Sequence, residues 1–214
     1  MSRVIAPPGK ASKPRHFYKK GISQSQRQAP MTAANPTDMT GETPMPRWLL
    51  GELRSDQAGE TGAVEIYRGI LAVSKDPKVR AFAEQHMATE QTHLEIINAR
   101  LPHDARTRLL PLWRVMGFFT GALPALFGPK AVFATIEAVE TFVDHHYQAQ
   151  IDPLERSGAF PDVLAELKAC QADEIAHRDE AAGLVEGRKN FALKAWTWVV
   201  DAGSKTAVIV ARRI

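Results

Sequence analysis

Glu90-Gln91-Thr92-His93 and Glu174-Ile175-Ala176-His177 are two copies of one short pattern, E-x-x-H. On a helix, residues three apart project from the same face, so each copy aims a carboxylate and an imidazole at one point. Each is preceded by a lone glutamate: Glu60 stands 30 residues before Glu90, and Glu140 stands 34 before Glu174. Two E-x-x-H helices, each partnered by a helix with one inward Glu, supply the four carboxylates and two imidazoles of a dinuclear iron or manganese centre in a helix bundle. The near-equal spacing predicts a pseudo-symmetric pair of helical hairpins, with one metal per E-x-x-H. Carboxylates would bridge the metals, Glu140 and one E-x-x-H glutamate being the expected bridges.

The flanking sequence supports an all-α domain over residues 46–214. Apolar residues recur at helical spacing through 48–73, 77–100, 109–127, 129–151, 160–186 and about 190–211. Pro77 and Pro129 suit first-turn positions, the pairs Asp76-Pro77 and Asp152-Pro153 mark stops, and Gly187 suits a C-cap. No alternating strand pattern competes. The first, second, fourth and fifth segments carry the six candidate ligands, leaving two further apolar or amphipathic helices.

The residue types suit the chemistry. Carboxylates are hard ligands that switch between terminal and bridging modes, and imidazole also suits iron. Four carboxylates neutralise two divalent cations, so the loaded site can lie in a buried core. Without metal the carboxylates repel one another and their pKa values rise, which predicts a metal-free chain that is less stable or partly protonated at its core. Other acids and histidines read as ordinary: Glu65, Glu84, Glu95 and Glu166 as solvated faces, His86 and His103 as surface or loop residues. Glu137, one turn before Glu140, is the credible competitor for that ligand position. Asp56 and Asp144, one turn from Glu60 and Glu140, are candidates to orient an imidazole ligand through its second nitrogen. His146 and Tyr147 follow within reach of the same pocket, Tyr147 either as packing or as a proton or electron relay.

Composition narrows the classes. The chain has 214 residues, 44% hydrophobic and 24% charged, and a net charge of +3. The charge is uneven: residues 1–45 hold seven Lys/Arg against Asp38 and Glu42, a net of +5, and leave −2 for the remainder. That segment, rich in Pro, Ser, Gln, Thr and Lys, reads as a disordered basic arm. Its first 37 residues lack acids, as a targeting segment would, yet Pro7, Pro8 and Pro14 break any amphipathic helix there. A near-neutral body argues against nucleic acid as a partner. A single cysteine, Cys170, excludes disulfide frameworks, Cys-rich zinc modules and rubredoxin-type centres, and reads as core packing. No nucleotide-cradling glycine motif is present, so electrons must come from outside.

Val115 to Pro129 runs fifteen residues without a charge. It is too short, and too interrupted by Gly and Pro, to span a bilayer. It reads either as a helix buried across the bundle or as an exposed apolar face that dips into lipid or lines a path for an apolar substrate. The last helix, with Trp196, Trp198 and several valines among Lys194, Lys205, Arg212 and Arg213, suits the same surface.

Arg54-Ser55-Asp56-Gln57-Ala58-Gly59-Glu60-Thr61-Gly62-Ala63, followed by Ile66-Tyr67, resembles the first-helix signature of the 5-demethoxyubiquinone hydroxylases. The resemblance continues through Glu90-Gln91-Thr92-His93-Leu94, Pro111-Leu112-Trp113, Ala138-Val139-Glu140, His145-His146-Tyr147 with Gln150-Ile151, and Asp173-Glu174-Ile175-Ala176-His177. It covers roughly residues 48–214. Gln57 stands where a His is usual, and Thr141 where a second acid often follows.

The resemblance implies a ferritin-like bundle with a carboxylate-bridged di-iron centre, two Fe ions per chain, whose ligands are Glu60, Glu90, His93, Glu140, Glu174 and His177. The implied reaction is hydroxylation of the benzoquinone ring of a prenylated demethoxyubiquinone in ubiquinone biosynthesis, a monooxygenase reaction using O2 and two electrons, with NADH as one donor reported for the family. Implied partners are the quinone, a membrane surface to which the protein binds peripherally, and a lipid-binding accessory protein, with a homo-oligomer left open. The cytoplasmic face of a bacterial inner membrane and the matrix side of the mitochondrial inner membrane both fit; the prolines of the arm favour the bacterial setting. The alternative is a ferritin- or rubrerythrin-like iron-oxidising or peroxide-scavenging bundle without organic substrate. The apolar 115–129 segment and the missing rubredoxin-type cysteines argue against it.

Overall fold

A computed structural model describes residues 44–214. The basic arm expected over 1–45 therefore lies, but for its last two residues, outside the described residues. Six α-helices follow in order: α1 (Arg47–Val73), α2 (Pro77–Arg100), α3 (Leu110–Ala125), α4 (Pro129–Ser157), α5 (Pro161–Leu184) and α6 (Phe191–Ala211). A 3-10 turn at His103–Ala105 lies between α2 and α3, and there is no strand among the described residues.

Local chemistry sets most boundaries. The Asp76 side chain accepts from the Lys78 and Val79 amides, capping α2 as Pro77 opens it. Helix α4 differs from expectation, continuing through Pro153 to Ser157 before the left-handed Gly158 ends it. Pro153 removes only one amide donor near the helix end, and the fully buried Leu154 holds the extra turn against the core. Gly187 also takes a left-handed conformation, but α5 has already ended at Leu184.

The architecture is a four-helix bundle built from two hairpins, α1–α2 and α4–α5, with α3 laid on α1 and α6 laid across α4 and α1. Apolar side chains gather in two clusters. One contains Tyr67, Ile70, Phe82, Phe133 and Ile136; the other contains Leu53, Ile97, Ile151, Leu154 and Leu167. Glu60, Glu90, Glu140 and Glu174 are as buried as those cores.

The 115–129 segment is not buried across the bundle. Only Gly117, Gly121, Ala122 and Pro124 of α3 are buried, while Val115, Met116, Phe119, Leu123, Leu126 and Phe127 are exposed. The glycines explain how closely α3 lies on α1: a Cβ on Gly117 would overlap the Gly62 carbonyl, one on Gly121 the Ile66 carbonyl, and one on Gly69 the Phe118 carbonyl. Gly121→Ala must therefore push two helix backbones apart. It is expected to destabilise the chain by at least about 1–3 kcal/mol in urea denaturation. Gly203→Ala, on a face of α6 with open space, should be neutral or stabilising by up to about 1 kcal/mol.

Candidate metal centre

Two antiparallel pairs assemble the site. Tyr67 follows Glu60 by seven residues on α1, and Tyr147 follows Glu140 by seven on α4. Each tyrosine reaches the other helix's glutamate: Tyr147 donates to Glu60 Oε1 at 2.5 Å and Tyr67 to Glu140 Oε1 at 3.4 Å. The E-x-x-H helices cross in the same reciprocal way. His93 Nδ1 lies 3.0 Å from Glu174 Oε1, and His177 Nδ1 lies 3.1 Å from Glu90 Oε1. All six side chains are buried. They form two overlapping groups, Glu60-Glu90-His93-Glu174 and Glu90-Glu140-Glu174-His177, within each of which one ligand atom per residue lies inside 4.8 Å of the others. Glu90 and Glu174 belong to both groups, whereas Glu140, expected to bridge, belongs to one.

The donor set fits two divalent cations. Both Glu90 oxygens, Glu174 Oε2 and His177 Nδ1 are buried without a well-directed hydrogen bond, a costly condition unless something else coordinates them. Burial pushes the Glu60 and Glu140 carboxyls well above the usual range, reinforced by Glu174 and Glu90. Burial also acts to raise Glu90, but the close His177 and His93 rings outweigh it and hold it at about 2. Burial would lower both ligand-position imidazoles; Glu174 and Glu90 raise them instead, His177 to about 9 and His93 further still. Protons and ring charges thus stand where two cations would neutralise the carboxylates.

Residues 47–211 match the family described as ubiquinone biosynthesis protein COQ7. The chain belongs to this family. It is 38% identical to the 3-demethoxyubiquinol 3-hydroxylase of Rhodospirillum rubrum, over 80% of this chain and 81% of that protein. The mitochondrial NADPH-dependent 3-demethoxyubiquinone 3-hydroxylases of Dictyostelium discoideum and Homo sapiens are 34% and 33% identical, over 76% of each chain in both cases. As a COQ7-family member the chain is an enzyme, a hydroxylase of ubiquinone biosynthesis. Neither Gln57 nor Thr141 bonds to a cage residue: the buried Gln57 donates to Asn98 Oδ1 at 2.7 Å, and Thr141 donates to the Glu137 carbonyl at 2.6 Å.

The residues around the six correct several expectations. Asp144 orients no imidazole of the cage; it accepts from Arg178 and Gln171. Asp56 accepts from Gln150 at 2.8 Å and approaches His146 Nε2 at 2.9 Å, so it organises His146 rather than His93 or His177. The carboxylate on the second nitrogen of His93 is Asp173, at 3.1 Å. Glu137 pairs with Lys189 at 2.7 Å, away from the cage. His103 is exposed as expected, but His86 is 2% exposed and packs against the His177 ring. Cys170 is core packing, its thiol pushed to about 12 by burial.

Tyr67, Asp173 and His86 are the site residues that spacing analysis passed over. The equal Glu-to-Tyr interval on α1 and α4 was the available signal for Tyr67. Asp173 directly precedes a candidate ligand, so nothing but the fold separates it from a surface acid.

The pH dependence of the metal-free chain follows. His177 contributes stability that is complete below its unfolded value near 6.5 and lost as pH rises through about 9. Glu60 and Glu140 act in the same sense, since above about 4.5 the unfolded chain releases protons that the fold retains. The melting temperature of the metal-free chain is expected to fall as pH rises from 6.5 through 9. Added Fe(II) or Mn(II), which displaces those protons, should raise it more at the alkaline end in differential scanning calorimetry.

Proposed function

We propose that this hydroxylase binds two iron ions in the cage and hydroxylates the benzoquinone ring of a prenylated demethoxyubiquinone. The observation that carries this reading is the pair of overlapping buried clusters sharing Glu90 and Glu174, in a chain whose relatives are named for that reaction. Glu90 and Glu174, common to both clusters, would hold both ions. Glu60 with His93, and Glu140 with His177, would complete the two ends. Bound iron supplies the activation of dioxygen that ordinary side chains lack.

The remaining work belongs to the chain's own residues. Burial holds Tyr67 and Tyr147 protonated, with Glu140 and Glu60 adding to the effect. Each therefore keeps its proton to donate and fixes the free oxygen geometry of its glutamate. The apolar clusters on either side exclude water from the reacting layer. A cleft of about 460 Å³ between α4 and α6, lined by Phe142, His146, Val208 and Ile209 among others, suits the quinone head. His146 joins that cleft to the buried Asp56, and its neighbour Tyr147 to the cage.

No helix among the described residues is long and apolar enough to cross a membrane. The exposed face of α3 and the exposed Trp198, Val199 and Ile209 of α6 support contact with a membrane surface, where a prenylated substrate dissolves. The two electrons come from an external donor, reduced nicotinamide being the candidate that the names of the human and Dictyostelium relatives suggest. A bacterial inner-membrane surface, and a lipid-binding accessory protein that presents the quinone, complete this reading.

Iron-loaded, reduced protein mixed with a short-tailed demethoxyubiquinone under labelled dioxygen is expected to give a ring carrying one labelled oxygen by mass spectrometry, with none in Glu174→Ala. Oxygen consumption without labelled product would instead indicate an iron- or peroxide-handling bundle. For the membrane surface, Phe119→Asp combined with Leu123→Asp is expected to weaken sedimentation with phospholipid vesicles by at least about tenfold. Burying each of these side chains is worth about 1.5–3 kcal/mol. Unchanged sedimentation would remove α3 from the membrane contact.

A further inference from the structure

We propose that His86 and Glu180 form a positioning pair for His177, serving the second metal cluster as Asp173 serves the first. This inference rests on the dinuclear reading above. The two halves of the cage are equivalent in their six proposed ligands but not in what stands behind them. His93 has Asp173 at its outer nitrogen. Asp173 precedes Glu174 on α5, and the corresponding residue before Glu90 on α2 is Thr89, which offers no carboxylate.

His86 occupies that gap by another route. It lies four residues before Glu90 on α2 and meets the His177 ring edge to face, with centroids 4.0 Å apart and planes at 79°. Its Nε2 is 3.0 Å from Glu180 Oε2. Glu180 stands three residues after His177 on α5, hence on the same face. His86 Nδ1 is buried without a partner. A bare lone pair is tolerated there more readily than an unsatisfied N–H, so the proton sits on Nε2 and is donated to Glu180. The half-exposed Glu180 carboxylate thereby fixes a buried ring, and that ring fixes His177.

The remaining neighbours of His86 extend the effect within the same cluster. Tyr67 stacks on it, with centroids at 6.1 Å and planes at 22°, and Tyr67 is the donor to Glu140. Phe82 closes the cup at 4.1 Å and rests on Phe133. His86 therefore touches the imidazole of the second cluster and the tyrosine that holds its terminal glutamate. The ring of His93 is not among its aromatic neighbours.

The test is Co(II) binding to the metal-free full chain, followed by visible absorption and calorimetry, in two backgrounds. His93→Gln leaves the second cluster with its imidazole, and His177→Gln leaves the first. His86→Phe, which keeps a ring but loses the hydrogen bond, is expected to weaken Co(II) binding about 10- to 100-fold in the His93→Gln background. It should leave the His177→Gln background unchanged. Glu180→Ala should reproduce the loss and Glu180→Gln, which keeps an acceptor, should restore it. Because Glu180 is half-exposed, these two variants carry the test even if His86→Phe fails to fold. Equal weakening in both backgrounds, or none in His93→Gln, would overturn the inference while leaving two metals in the cage. An unmutated chain that binds fewer than two equivalents would overturn the dinuclear reading and this inference with it.

Discussion

Four carboxylates buried in one layer of a helix bundle repel one another, and the rest of this chain is arranged around that repulsion. Burial drives the Glu60 and Glu140 carboxyls to retain protons, while the His93 and His177 rings keep Glu90 ionised. Two divalent cations would replace both devices at once. The layer separates two apolar clusters that support its helices from either side. The polar centre is thus held by packing from either side, while its ligands remain short of hydrogen-bond partners.

The reciprocal contacts show how a repeated pattern becomes a cage. Because α1 and α4 are antiparallel, one Glu-to-Tyr interval used twice lets each tyrosine serve the opposite glutamate. The same logic on α2 and α5 brings each histidine to the other helix's glutamate, which leaves Glu90 and Glu174 at the centre and shared. The symmetry fails outside the ligands. Asp173 backs one imidazole, and an aromatic cup around His86 backs the other. The surroundings of the two imidazoles therefore differ in polarity and rigidity.

Much of this was legible in the sequence because helical spacing and metal-ligand chemistry are both short-range rules. The six cage residues and the helix order follow from E-x-x-H, the lone glutamates and the apolar period. Contacts between helices were not legible. Asp56 and Asp144 each lie one turn from a cage glutamate, yet crossing geometry sends them to His146 and Arg178. His86 looked like a surface histidine, and the approach of α1 and α5 buries it. Whether Val115–Pro129 is covered depends on Gly62, Gly69, Gly117 and Gly121, which let α3 settle on α1 and leave its large side chains outside.

Under the proposed function those exposed side chains would meet the lipid in which a prenylated quinone dissolves, and the cleft between α4 and α6 lies beside the helix that carries Glu140 and Tyr147. The central claim remains the shared carboxylates. Mössbauer spectroscopy of the chain loaded with iron-57 and oxidised by air tests it most directly. Two irons per chain in one exchange-coupled, diamagnetic ground state is the predicted result, since Glu90 and Glu174 would bridge them. A single iron per chain, or two magnetically isolated ferric ions, would contradict it.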